Sequence, residues 1–147
     1  MNTNELKKNN FHWINSEVLI VDNSSFSDIN KSINMLKNNT SYSLTKGNRN
    51  HFIEFSFIRN YFLKSIRIKV ADFECSLKTF KIEVISEKEK RDAIGTFVRK
   101  KYSEENGFPE FEILKECKGV KLYLIDNWGF GGGNYILIQN IDFNVSD

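Results

Sequence analysis

Apolar and polar residues alternate with a period of two along most of the chain, the pattern of strands that bury one face. Ile53, Phe55 and Phe57 alternate with Glu54 and Ser56; Ile66, Ile68 and Val70 with Arg67 and Lys69; Phe80, Ile82 and Val84 with Lys81 and Glu83. Thr96 to Arg99, Glu110 to Leu114 and Val120 to Asp126 continue the pattern, and an early strand is expected at Glu17 to Asp22. Tyr135, Leu137, Gln139, Ile141 and Phe143 are expected to line one face of a final strand. One segment has a different period. Ile29, Ile33 and Leu36 fall at i, i+4 and i+7 behind Ser27 or Asp28, which predicts about three turns of capped helix. With no alternation of strands and helices, the expected fold is all-β: a jelly-roll β-sandwich of about eight antiparallel strands with one short helix near the N-terminus. The 13 Phe residues are assigned mainly to its core.

Composition narrows this picture. A chain of 147 residues, 40% of them hydrophobic, with no Pro/Gly/Ser-rich linker and no internal repeat, reads as one domain over residues 11–147 behind a polar, mobile tail at Met1 to Asn10. The longest aliphatic run, Val18 to Val21, falls far short of the roughly 20 residues a membrane-spanning helix needs, so no span is expected. Without an apolar secretory stretch the expectation is an intracellular protein with Cys75 and Cys117 reduced. The 21 Lys and Arg against 19 Asp and Glu leave a net charge of +2, which argues against a dedicated nucleic-acid binder.

No standard catalytic set emerges. His12, placed in the mobile N-terminal region, and His51, starting a strand, have no metal-ligand spacing. Cys75 and Cys117 lack the close pairing of redox or zinc motifs. Glu104, Glu105, Glu110 and Glu112 are read as charged loop and strand-face residues rather than an acid/base pair. The run from Glu87 to Asp92 mixes signs and reads as a solvated turn. No catalytic residue, metal or cofactor is therefore assigned. Interest centres on Gly131 to Gly133, which lacks the Lys-Ser/Thr of a phosphate loop and joins two strands. Trp128 and Phe130 precede these glycines and Asn134 and Tyr135 follow. Aromatic side chains in a loop are costly to leave in water, so the loop is a candidate binding rim.

At this loop the chain resembles SUN domains. Leu122-Tyr123-Leu124-Ile125-Asp126-Asn127-Trp128-Gly129 followed by Asn134-Tyr135 is similar to their closing segment, and Leu77 to Val84, Ile94-Gly95-Thr96-Phe97 and Phe111 resemble earlier strands in the same order. The likeness covers about Phe52 to Val145. SUN domains belong to the galactose-binding-like superfamily, which also includes discoidin domains and the Doc subunit of the anaphase-promoting complex. The wider group is echoed by Ile33 to Leu36, Asn39 to Tyr42 and His51 to Phe55. The SUN resemblance implies a jelly-roll module at the nuclear envelope that holds the C-terminal tail of a KASH peptide, with Tyr135 at the peptide carboxylate. Gln139 stands where the family has a second tyrosine, Leu137 replaces a cysteine, and the loop from Gly129 to Tyr135 is longer. Asp72 to Phe80 is similar to a stretch of the divergent SUN-like proteins of the endoplasmic reticulum.

The expected function is accordingly a non-enzymatic, SUN-like module that recognises a protein partner through Asn127, Trp128, Phe130, Asn134, Tyr135 and Gln139, with any membrane association at the nuclear envelope or endoplasmic reticulum supplied by that partner. The alternatives are a discoidin-like carbohydrate-binding domain, or an architectural subunit of an intracellular complex that docks through outer-face residues such as Ile85, Ile125, Ile136 and Ile138.

Overall fold

A computed structural model describes residues 10–37, 41–46, 51–71, 73–100, 109–129 and 135–147. Among them are nine strands: β1 (His12–Ile14), β2 (Leu19–Asn23), β3 (Ser43–Leu44), β4 (His51–Lys69), β5 (Leu77–Ile85), β6 (Arg91–Val98), β7 (Glu110–Asn127), β8 (Leu137–Ile138) and β9 (Asn140–Ser146). Seven of them form one antiparallel hydrogen-bonded sheet in the order β1-β9-β4-β7-β5-β6, with β2 on the first half of β4; β3 and β8 make a separate pair.

The sheet is folded over on itself, because the two longest strands pass through both layers. The first half of β4 pairs with the second half of β7, Ile53 opposite Leu122 and Phe55 opposite Val120. The second half of β4 pairs with the first half of β7 and with β9, Ile66 opposite Phe111 and Phe143. Between these halves the alternation of β4 lapses at the more exposed Ile58, Arg59 and Asn60, then resumes. Edge-to-face contacts join the layers: Phe55 and Phe57 meet Phe143 at 5.1 and 5.2 Å, and Phe80 meets Phe111 at 4.9 Å. At the corner β7 needs a glycine, since a Cβ on Gly119 would sit 2.5 Å from the Phe55 carbonyl oxygen.

The fold-over gives the sandwich two unlike ends. At one lie the corners of β4 and β7 and the tight β5–β6 turn at Ser86 to Lys90. At the other, loop-rich end β4 finishes at Lys69 and β7 begins at Glu110 in one layer, while β4 begins at His51, β5 begins at Leu77 and β7 finishes at Asn127 in the other.

Several expectations need correction. The helix is a single short 3-10 helix, Ser32–Leu36, that buries Met35 and Leu36, while Ile29 is 85% exposed. Ser27 does act as a cap, its Oγ accepting the amides of Ile29 and Asn30, but the Asn30 carbonyl that a helix would offer to Asn34 accepts the Leu44 amide of β3 instead, so no α-helical turn follows. The strands expected around Ile53 and Ile66 are one strand, as are those around Glu110 and Val120. The expected final strand is split at Gln139, and its buried inner row is Ile141, Phe143 and Val145. Of the outer-face isoleucines, Ile85, Ile136 and Ile138 are buried and only Ile125 is exposed. His12 is not on a tail but on β1, edge-on to Tyr61. Met1 to Asn9 of the expected tail, Glu104 and Glu105 lie outside the described residues.

Candidate binding site at the loop-rich end

The loop-rich rim is built from side chains that hold irregular backbone in place. β7 ends at Asn127, opposite Leu77 at the start of β5. Its side chain closes the loop that follows: Nδ2 donates to the Tyr135 carbonyl at 2.6 Å, and Oδ1 accepts the Gly129 amide at 2.9 Å. Asn127 is thus a clamp, with both ends of its amide engaged inside the loop. Beyond it, Ile136 exchanges bonds with Thr45, the Thr45 amide donating to the Ile136 carbonyl and the Ile136 amide to Thr45 Oγ1. The Leu137 amide donates to the Cys75 carbonyl at 2.8 Å, and Ser76 and Leu137 form a parallel bridge. Segments 73–77 and 135–138 therefore run side by side in the same direction.

That arrangement brings aromatic rings to one rim. Tyr135 is 50% exposed and Phe73, on the neighbouring segment, 56% exposed. Phe73 leans on the half-buried Tyr42, ring centres 6.3 Å apart, and Tyr42 is held through its carbonyl by Asn34 Nδ2. Trp128, half-buried, carries the Lys78 ammonium over its ring at 4.8 Å. Underneath, the fully buried Arg99 joins the layers, its guanidinium donating to the carbonyls of Leu77 on β5 and Ile68 on β4.

The sequence-predicted residues thus divide. Asn127, Trp128 and Tyr135 come together at the rim. Gln139 lies between β8 and β9, where its backbone amide donates to the Lys69 carbonyl. Phe130 and Asn134 lie outside the described residues. Sequence reasoning missed Phe73, Tyr42 and Lys78 as rim residues. A signal existed for Phe73, an aromatic two residues before the β-like run from Cys75, but no pattern links it to Tyr135, 62 positions on.

Titratable chemistry is sparse elsewhere. Burial pushes the Cys117 thiol up to about 12 and raises Cys75, so neither is an activated thiolate. Glu110, one of the carboxylates considered for acid/base work, accepts from Ser65 Oγ on the outer sheet face. Among the described residues no group of His, Cys, Asp and Glu is arranged to hold a metal ion, and no helix is long and apolar enough to cross a membrane.

The backbone matches solved structures although neither a known protein family nor a curated protein matches the sequence. CBM32-3 of a family 31 glycoside hydrolase from Clostridium perfringens superposes with a TM-score of 0.78 over 92% of this chain and 95% of that one, at 11% identity. The chain has the β-sandwich fold of that domain. The family 32 carbohydrate-binding module of C. perfringens NanJ, solved in complex with galactose, gives 0.77 at 12% identity, covering 91% of this chain and 98% of that one. The CBM32 of AlyQ, in complex with 4,5-unsaturated mannuronic acid, gives 0.64 at 12% identity, covering 86% and 92%. A truncated AlyQ with CBM32 and alginate lyase domains gives 0.67 at 11% identity, covering 93% of this chain and 34% of that one.

Proposed function

We propose that this domain is a non-catalytic carbohydrate-binding module whose ligand lies on the loop-rich rim against Tyr135 and Phe73. The observation that carries the reading is the pair of half-exposed rings on two parallel, bridged segments. A sugar ring presents an apolar face to such rings and hydroxyls to the loop backbone around them, so stacking and polar contacts converge at one place. The fold neighbours that hold sugars support the same reading. It displaces the SUN-like protein-binding expectation as the first choice, because the general shape is shared with sugar binders. The architectural reading loses most of the exposed isoleucine face it relied on.

The SUN-like alternative retains one specific support: Tyr135, the position that in the resemblance meets a peptide carboxylate, is half-exposed at the rim. One experiment separates the two. Titration calorimetry with galactose, N-acetylglucosamine and their uronic acids, with a glycan array to widen the search, is expected to give saturable binding that Tyr135→Ala weakens about tenfold or more. The variant should melt within about 0.5 kcal/mol of the parent, since it removes a surface ring. Absence of binding to every glycan, with and without calcium, removes the carbohydrate reading and leaves the peptide one.

A further inference from the structure

The faces of the rim aromatics are not equivalent. Tyr135 and Phe73 are half-exposed, whereas Trp128 has a face taken by Lys78, whose ammonium lies 4.8 Å from the ring centre. A lysine in this position is held by cation–π attraction and by its apolar stem, and its three N–H donors remain for another acceptor. Among the described residues the ion pairs belong to Arg59, Arg67 and Arg91, and none involves Lys78. The carboxylate on the facing strand, Asp126, accepts the Thr79 amide at 3.0 Å. Glu74 is exposed on the β4–β5 connection, beside Gly129. Lys121 forms the instructive contrast. It too lies over rings, Phe52 at 4.5 Å and Tyr123 at 4.8 Å, but on a sheet face where Glu83 accepts from Tyr123 and Arg91 bridges Glu54 and Glu83. There the positive charge is part of a mixed surface. At Lys78, among the described residues, it is a cation without an ion-pair partner, lying over the indole that follows the Asn127 clamp.

We propose that the rim selects sugars bearing a negative charge, a carboxylate or a sulfate, and that Lys78, steadied on Trp128, is the residue that recognises it. The proposal rests on the carbohydrate reading above. An anion meeting this ammonium makes a charge-assisted hydrogen bond, which a neutral hydroxyl cannot match. The contact is at a half-exposed site, so salt weakens it.

The test compares galactose, galacturonic acid and galactose 6-sulfate by titration calorimetry at about 50 mM and about 500 mM NaCl. At low salt one or both charged sugars are expected to bind about tenfold tighter than galactose, the sugar that does so identifying the anion, and the gap should shrink at high salt. Lys78→Met, which keeps a stem on Trp128, should bring charged and neutral sugars level, while Lys78→Arg should preserve the preference. Circular dichroism melts establish that both variants are folded. Galactose binding as tightly as both charged sugars at low salt, or an undiminished preference in folded Lys78→Met, overturns the proposal and leaves the carbohydrate reading standing. If no sugar binds, neutral or charged, both fall together.

Discussion

The two ends of the sandwich solve the same problem, satisfying the backbone where strands stop, by different means. At the tight end the β5–β6 turn closes locally: the Ser86 amide donates to the Lys90 carbonyl, the Glu89 amide to the Ser86 carbonyl and the Lys90 amide to Ser86 Oγ. At the loop-rich end side chains distant in sequence do the work. Asn127 holds Tyr135, Asn34 holds Tyr42, Asn140 Nδ2 donates to the carbonyls of Met35 and Lys37, and Arg99 spans Leu77 and Ile68. Irregular backbone that cannot bond to its neighbours must find partners elsewhere or lose free energy. A polar residue at such an end can be scaffold, and Asn127, with both ends of its amide bonded inside the loop, is of that kind.

The contrast can be broken at its strongest point. Arg99→Met removes the donors from two buried carbonyls, each worth about 1–3 kcal/mol, so a loss of about 3 kcal/mol is expected in urea unfolding. A change below about 1 kcal/mol would mean the layers are not held together at this end through Arg99. Gly119→Ala probes the corner: with its Cβ 2.5 Å from the Phe55 carbonyl, the strands must part, and about 2 kcal/mol should be lost by the same measurement. The smallest effect belongs to the tight turn. Glu89 has φ 65°, a conformation that favours glycine, so Glu89→Gly is expected to raise stability by about 0.5 kcal/mol, read as an upward shift in melting temperature.

Much of this architecture was legible from alternation, because a strand with one buried face writes its own period. Ile53, Phe55 and Phe57, like Ile66 and Ile68, are buried as expected. That they belong to one strand was not legible, since a lapse in alternation at Ile58 to Asn60 looks the same whether the chain turns or bends. The helix expected at Ile29 to Leu36 shrinks to Ser32–Leu36 because the Asn30 carbonyl bonds to Leu44 on β3, a partner distant in sequence that no local period reveals. At the rim, Trp128 and Tyr135 stood out as aromatics near glycines. Lys78 did not, since a lysine on a strand resembles any solvated charge until a distant indole is folded onto it. Arg99 left no trace in the pattern, for nothing in a sequence marks an arginine whose partners are carbonyls.

The passage of β4 and β7 through both layers has a consequence for how the domain is made. Each layer contains one half of β4 and one half of β7, so neither layer can be lost without freeing half of both strands. Refolding should be slow, in the millisecond-to-second range of proteins dominated by distant pairings, and equilibrium unfolding should show one transition by every probe. A ligand gripping the far rim would then hold the entire molecule closed rather than one loop of it.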